Sequence, residues 1–76
     1  MASLRQSFAT VVRRRRHKLD LSQEELAERA DIHRVYVSRI ETGKVDVGLE
    51  VAARVAEALG TRLSRLIGEA ERSWDK

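Results

Sequence analysis

Two short amphipathic segments separated by only three residues constrain the fold of this chain more than any other feature. Ser22 and Glu25 have the spacing of a capping box, in which each side chain bonds the backbone N–H of the other, and predict a helix over residues 23–30. Residues 31–33 predict a tight turn, because the Asp that begins them tolerates the left-handed conformation. A second short helix is predicted over about 34–42, ended by the glycine that follows it.

Three further helices are predicted from apolar residues that recur at helical spacing. We place them at about 4–18, at about 49–59 and from residue 63 nearly to the end of the chain. The apolar positions that define them are Leu4, Phe8, Val11 and Val12; Leu49, Ala52, Ala53, Ala56 and Leu59; and Leu63, Leu66, Ile67, Ala70 and Trp74. Proline is absent and glycine occurs four times, so few hairpin signals exist. The sequence therefore predicts an all-α fold of five helices in one domain over 1–76, since a chain of this size supports one small core.

Positive charge is concentrated locally. The 15 Lys+Arg residues exceed the 12 Asp+Glu residues by three, and most of the bases are arginine. Residues 1–22 hold six bases and one acid, whereas residues 23–30 hold three acids and one base. Arg34, Arg39 and Lys44 extend the positive charge onto the second short helix and its exit. A local basic footprint of this kind is typical of a nucleic-acid-binding surface.

Several function classes are disfavoured by the composition. Without cysteine, and with two isolated histidines, the chain predicts neither disulfides nor a metal site. No Gly-rich phosphate loop or nucleophile–base pair is visible, and Glu24 and Glu25 are explained by the helix dipole, so we expect no enzyme, no cofactor and no small-molecule ligand. The chain lacks an apolar run approaching the roughly 20 residues of a membrane span and a secretory signal, which predicts a cytoplasmic, nucleoid-associated protein.

The two short helices predict a DNA-reading surface. Two such helices joined by a tight turn form the helix-turn-helix arrangement, in which the first crosses the DNA backbone and the second enters the major groove. At about 100° per residue, Val37 and Ile40 define the inward face of the second helix, with Tyr36 at its margin. The opposite arc carries Arg34, Val35, Ser38, Arg39 and Thr42. Arginine can bond guanine bidentately, serine can bond several base edges and valine can contact a thymine methyl, so this arc predicts base readout.

Three separate motifs share their spacing with one known family. Residues 22–27 (SQEELA), 36–44 (YVSRIETGK) and 56–60 (AEALG) resemble the Cro/CI-type helix-turn-helix family, also called lambda-repressor-like or XRE. The resemblance covers about 8–68 and places the helix-turn-helix at about 22–42. It implies a five-helix DNA-binding domain that acts as a transcriptional regulator such as a repressor, usually as a dimer on a near-palindromic operator of double-stranded DNA.

The resemblance also implies roles for individual positions. Base contacts are implied for Arg34, Val35, Ser38 and Arg39. Phosphate contacts are implied for Gln23, His33, Tyr36, Thr42, Gly43 and Lys44, with main-chain amides contributing at the last three. Arg16 and Glu41 match a pair that forms a partly buried salt bridge between the first helix and the end of the third. Residues 34–38 and 47–49 are similar to a sub-group that includes controller proteins of restriction-modification systems.

A few positions depart from the family pattern. Asp20 and Asp31 stand where glycine is common, and Val47–Gly48 stands where Pro-Ser is frequent. Arg15 stands where a core leucine is usual, and we expect its aliphatic stem to lie on the core with its guanidinium in water.

The last apolar stripe outruns the resemblance. A C-terminal helical extension is predicted over about 68–76, where Trp74 could pack near Phe8, enter a subunit interface or belong to a frayed end. We expect dimerisation through the fourth and fifth helices. The candidate interface residues are Leu63, Leu66, Ile67 and Trp74.

Two other functions remain open from the sequence. The same fold serves in protein-interaction and antitoxin-type modules, whose main partner is another protein. The arginine run 13–16 could instead bind nucleic acid without sequence preference. At least two of its four side chains should be solvated, because consecutive helical residues point about 100° apart.

Overall fold

The computed structural model describes residues 3–74, and these form five α-helices with no strand among them. The helices are α1 (Leu4–Lys18), α2 (Gln23–Ala30), α3 (Arg34–Glu41), α4 (Leu49–Ala58) and α5 (Leu63–Trp74). The predicted all-α class and helix order are confirmed, with bounds within one residue of those expected. The predicted extension and the domain limits reach residues 1–2 and 75–76, which lie outside the described residues.

Local capping explains where the first two helices begin. Ser3 Oγ accepts the Gln6 N–H at 3.1 Å, and the Ser3 N–H donates to Gln6 Oε1 at 3.3 Å. Ser22 and Glu25 form the same reciprocal pair at 3.0 and 2.8 Å. Hydrogen bonding of the Glu25 carboxyl to the backbone N–H of Ser22, and then to its side chain, lowers the pKa of that carboxyl. Each box satisfies backbone donors that the first turn of a helix leaves free.

Two aspartates provide left-handed residues where the family commonly has glycine. Asp20 has φ +59° after α1, and Asp31 has φ +57° after α2. Aspartate reaches this region more readily than most side chains. The departures at these two positions therefore leave the turns intact.

Helix α1 packs against both α5 and α3, α2 packs on α3 and α4, and α4 also contacts α5. The largest fully buried side chains are Val11, Val12, Leu26, Val37, Ile40, Val55 and Leu66. Burying a side chain of this size stabilises the fold by about 1.5–3 kcal/mol. All five helices contribute to this single core cluster.

Two of the predicted apolar positions do not lie in the core, where the stripe placed them. Leu49 is 80% exposed because it lies in the first turn of α4, beyond the cover of the other helices, and Ala53 is exposed on the side of that helix. Val55, which the predicted stripe omitted, is fully buried instead. Leu66 is also fully buried inside the monomer, so its prediction as an interface residue is wrong.

The Arg15 guanidinium does not project into water as predicted. Its Nε bonds Glu69 Oε1 and Oε2 at 3.2 and 3.1 Å, and its Nη2 also contacts Oε2, which ties α1 to α5. Both side chains are mostly buried. Hydrogen bonding from Arg15 lowers the pKa of the Glu69 carboxyl; burial opposes this, and the charges of Arg15, Arg14 and Arg72 add to it. An ion pair thus replaces the apolar contact of the usual leucine.

The Arg15–Glu69 pair should make part of the stability depend on acid. Because the folded-state pKa of Glu69 is lowered, its contribution is fully present above the unfolded value of about 4.3 and is lost as pH falls through the lower folded value. Glu69→Gln should lower the unfolding free energy by about 1–2 kcal/mol at neutral pH, and by much less near pH 2. Urea unfolding at both pH values measures this difference.

Glu71→Gln is the matched control, because Glu71 is an exposed carboxylate on the same helix. It should leave stability nearly unchanged at both pH values. A loss for Glu69→Gln that is equal at neutral and low pH would show that the carboxylate charge is not what stabilises the contact.

Candidate nucleic-acid interface

The turn between α2 and α3 fixes the angle of the two short helices. After the left-handed Asp31, the Ile32 N–H donates to Ala27 O at 3.0 Å, which closes the end of α2. His33 then caps α3, since its Nδ1 accepts the Val35 N–H at 3.1 Å. Histidine here does what Ser or Thr does at a helix start. The three residues form the tight connection that a helix-turn-helix requires.

Helix α3 is anchored on one face and open on the other. Val37 and Ile40 are fully buried in the core, as the spacing predicted. Arg34, Val35 and Arg39 are exposed. Three of the four predicted base-reading side chains therefore share the open face, while the fourth, Ser38, is half-buried together with Tyr36.

A buried ion pair connects the end of α3 to α1 and α2. Arg16 Nε and Nη2 bond Glu41 Oε2 and Oε1 at 2.6 and 2.9 Å, with side-chain exposures of 10% and 2%. Arg16 Nη1 also donates to Leu21 O at 2.8 Å, and Gln23 Nε2 donates to Glu41 Oε1 at 3.1 Å. Hydrogen bonding to Glu41 raises the pKa of Arg16 against the opposing effect of burial. The implied salt bridge is thus present, and it also holds Gln23 at the start of α2.

The turn after α3 uses its main-chain amides internally. Thr42, Gly43 and Lys44 N–H groups donate to Ser38, Ile40 and Arg39 carbonyls at 3.1, 3.1 and 3.0 Å. These amides close the end of the helix, so their implied availability to phosphate is wrong for this conformation. The next three amides, at residues 45–47, make no hydrogen bond within the described residues. Sequence spacing did not indicate this shift, because it depends on how the helix end closes.

Gly43 sits where a side chain would not fit. Its φ is +69°, and a Cβ placed there would stand 3.1 Å from Gln6 Cγ at the start of α1. The left-handed backbone and the close approach both require glycine. Lys44 follows it with an exposed side chain, and Arg5 pairs with Asp46 at 3.3 Å nearby.

The arginine run does not act as one patch. Arg15 and Arg16 are held in ion pairs with Glu69 and Glu41, whereas Arg13 and Arg14 are exposed. Only two of the four guanidinium groups therefore remain exposed, which is the number that helical geometry predicted at minimum.

A second surface is mostly apolar and has no lining residue from α3. A shallow cavity of about 240 Å³ opens between the starts of α1, α4 and α5. Its apolar lining includes Leu4, Phe8, Val47, Leu49, Leu63 and Ile67. Leu63 and Ile67 were expected at an interface. Leu49 was not predicted to line this cavity, because the stripe assigned it to the core, and Val47 belongs to none of the predicted stripes. Trp74 is partly exposed at the end of α5 and lies outside the core cluster.

Neither a membrane segment nor a metal centre is found in residues 3–74. None of the helices there combines the length and apolar character needed to cross a bilayer. Within the same residues, no three His, Cys, Asp or Glu side chains are grouped to hold a metal ion.

The short helix pair, its capped turn and the open basic face of α3 define a helix-turn-helix DNA-binding domain. The family model described as Helix-turn-helix matches residues 12–66. Control protein C.MunI from Mycoplasma sp is 41% identical over 58 residues, which are 76% of this chain and 78% of that protein. Control protein C.BamHI from Bacillus amyloliquefaciens is 38% identical over 66 residues, which are 86% and 82% of the two chains.

Solved structures show the same likeness. The restriction-modification controller protein C.AhdI from Aeromonas hydrophila has a TM-score of 0.79 at 32% identity, covering 82% of this chain and 94% of that one. The clp gene regulator ClgR from Corynebacterium glutamicum has a TM-score of 0.88 at 30% identity, covering 96% and 95%. The chain therefore belongs to the Cro/CI-type helix-turn-helix family of DNA-binding transcriptional regulators.

Breaking the Arg16–Glu41 pair should strongly destabilise the domain. Glu41→Ala leaves a buried guanidinium without its carboxylate and should lower the unfolding free energy by about 3–5 kcal/mol. The double variant Arg16→Met/Glu41→Leu removes both charges and should recover most of that loss. Urea unfolding of both variants measures the difference. A loss below about 1 kcal/mol for Glu41→Ala would show that the pair is solvated like a surface salt bridge.

Proposed function

We propose that this regulator binds a near-palindromic operator as a homodimer and reads each half-site with one copy of α3. The observation that carries this proposal is the placement of Arg34, Val35 and Arg39 on the open face of a helix whose other face is locked into the core. A rigidly held helix with exposed arginines fits the major groove.

Base readout is assigned to the open face of α3. Arg34 and Arg39 each present a planar fork to guanine O6 and N7, and Val35 offers an apolar contact to a thymine methyl. Ser38 is half-buried on the flank of the helix, and its hydroxyl is assigned to a base edge beside those of the two arginines. The two arginines supply most of the sequence choice.

Phosphate contacts surround this face. Lys44 supplies an exposed ammonium. Gln23 Nε2 gives one hydrogen to Glu41 and has a second free for a phosphate oxygen. His33 uses Nδ1 as the cap acceptor, which leaves its Nε2–H free to donate.

The remaining assigned phosphate contacts are weaker or displaced. Tyr36 is half-buried and reaches phosphate through its hydroxyl, whereas the Thr42 hydroxyl already bonds Ser38 O at 2.9 Å. Gly43, which has no side chain, would allow a phosphate to come close to the backbone of the turn. The free amides at 45–47 take over the main-chain role first assigned to the Thr42–Lys44 turn.

Dimerisation is assigned to the apolar edge between α4 and α5. Leu49 projects from the edge and a cavity lined by Leu63 and Ile67 lies beside it, so two copies related by a two-fold axis can exchange these features. Trp74 borders this side of α5. Such a dimer would place the two recognition helices about 34–36 Å apart, one turn of DNA.

The rival functions receive less support. Binding without sequence preference through residues 13–16 is disfavoured, because Arg15 and Arg16 are engaged internally. A protein-interaction or antitoxin-type module would leave the basic face of α3 without a role. We propose no catalytic activity and no cofactor, and a location with the DNA in the cytoplasm.

Selection of binding sites from random duplexes, with the mass of each complex recorded, tests this proposal. It should return one near-palindromic site occupied by two copies.

Arg34→Ala should then relax the preference at one base position in each half-site, by about 1–3 kcal/mol. Lys44→Ala should weaken all sites alike and reduce the slope of log K against log salt by about one per copy. Equal weakening of all sequences by Arg34→Ala would contradict its base-reading role.

Removing the projecting leucine should separate the two copies. Leu49→Asp adds a charge to the apolar edge, while an acid in the first turn of a helix is favourable for the helix itself. We expect a monomer by analytical ultracentrifugation, with operator affinity reduced about tenfold or more because the two half-sites no longer bind as a unit. Leu19→Asp, at another exposed leucine, is the matched control and should stay dimeric. A dimeric Leu49→Asp protein would place the interface elsewhere.

A further inference from the structure

A basic depression lies at the seam between α1 and α5, apart from the surfaces described above. Its volume is about 480 Å³, and it is lined by Arg15, Ser64, Arg65, Gly68, Glu69 and Arg72. An adjoining depression brings Arg14 beside Glu69 and Arg72. Four arginines thus surround a single carboxylate.

The charge in this basic depression is far from balanced. The one carboxylate, Glu69, is already bonded through both oxygens by Arg15. Four guanidinium groups against one carboxylate leave three positive charges, which equals the formal net charge of the whole chain. Arg14 and Arg72 both lower the pKa of Glu69, so their charges act on the same small volume. Arg65 also borders the next depression, which adds Arg62 and one further carboxylate, Glu57.

The shape of the basic depression leaves its donors accessible. Gly68 has no side chain, and Arg72 Nη1 stands 3.9 Å from where a Cβ on Gly68 would lie, so this guanidinium folds back over the floor. Arg65 and Ser64 are exposed at the rim. Apart from the engaged Glu69, the lining side chains of the depression are donors. Such a site suits an anion with several oxygen atoms.

The basic depression is separate from both proposed binding surfaces. Arg15 and Arg16 point about 100° apart on α1 and reach α5 and α3 respectively, so the depression is on a different side of α1 from the recognition helix. On α5, Arg65 is about 200° around the helix from Leu63 and from Ile67. A dimer formed through the apolar edge would leave the depression open.

We propose that the basic depression around Arg65 and Arg72 is a second binding site, for phosphate groups. Arginine forks bond phosphate oxygens bidentately and in fixed geometry. The phosphates belong either to nucleic acid beyond the stretch read by α3 or to a free polyphosphate such as a nucleotide. The site acts independently of base recognition, so phosphate binding to it can be measured without operator DNA.

Binding of inorganic triphosphate to the full chain tests the site. Calorimetry at low ionic strength, about 0.02 M, should give one site per chain, which Arg65→Gln/Arg72→Gln weakens about tenfold or more. Arg29→Gln/Arg54→Gln is the matched control, since it removes two exposed arginines from α2 and α4, and it should bind as the unaltered protein does. Circular dichroism checks that each variant is folded.

The Glu69→Gln variant changes the charge of the depression in the opposite direction. It removes the competing carboxylate and releases Arg15, so triphosphate binding should tighten severalfold. If Arg65, Arg72 and Glu69 served only the fold, replacing the arginines and replacing the carboxylate would not change triphosphate binding in opposite directions. The proposal is overturned if the Arg65/Arg72 and Arg29/Arg54 variants weaken binding equally, or if triphosphate does not bind.

A random-sequence duplex of about 40 base pairs distinguishes the sources of the phosphate. If the ligand is nucleic acid, the Arg65/Arg72 variant should reduce the salt slope for this duplex by about two per copy. If the ligand is a free polyphosphate, the slope should not change while triphosphate binding is lost. If the selection of binding sites returned no preferred sequence, the proposed binding to an operator would be refuted. The triphosphate and salt-slope measurements would still test the phosphate site.

Discussion

The Arg16–Glu41 ion pair is the interaction on which the DNA-binding geometry depends. It is buried beside the apolar core, where an unpaired charge is strongly unfavourable, so both partners must be held in place. The pair joins α1 to the end of α3 and, through Gln23, to the start of α2. Three helices are therefore oriented by one group of hydrogen bonds. A helix-turn-helix needs this control, because small rotations of α3 would move its arginines away from the base edges that we propose they read.

Helix α1 distributes its arginines between structure and surface. Consecutive positions point about 100° apart, so Arg15 meets α5, Arg16 meets α3, and Arg13 and Arg14 remain exposed. The run resembles a single basic patch only in the sequence. The surplus of three positive charges in the chain consequently says little about where phosphate binds until each arginine is assigned its partner.

Local signals predicted the helices well, because caps and apolar spacing act over a few residues. The box at Ser22 starts α2 and the left-handed Asp31 ends it, as expected, and a second box at Ser3 starts α1. Family resemblance also supplied the Arg16–Glu41 pair. The exposure of Leu49, the burial of Leu66 and the partner of Arg15 were not predicted, since each depends on which helix covers which face. The amides of the turn after α3 were misassigned for a similar reason: their availability is decided by how the helix end closes.

Placing α1 between α3 and α5 allows one small core to support three different surfaces. The open face of α3 is basic and mixed, the edge around Leu49 is apolar, and the depression around Arg72 is strongly basic. The apolar edge and the basic depression lie on opposite flanks of α5, because helical residues two positions apart point about 200° away from each other. The proposed pairing of two copies through the apolar edge would therefore leave Arg65 and Arg72 exposed to solvent, and the proposed phosphate binding would not cover Leu63 or Ile67. Because the core is shared, a substitution that loosens α1 should impair all three surfaces together, whereas a change at any one surface should leave the other two able to bind.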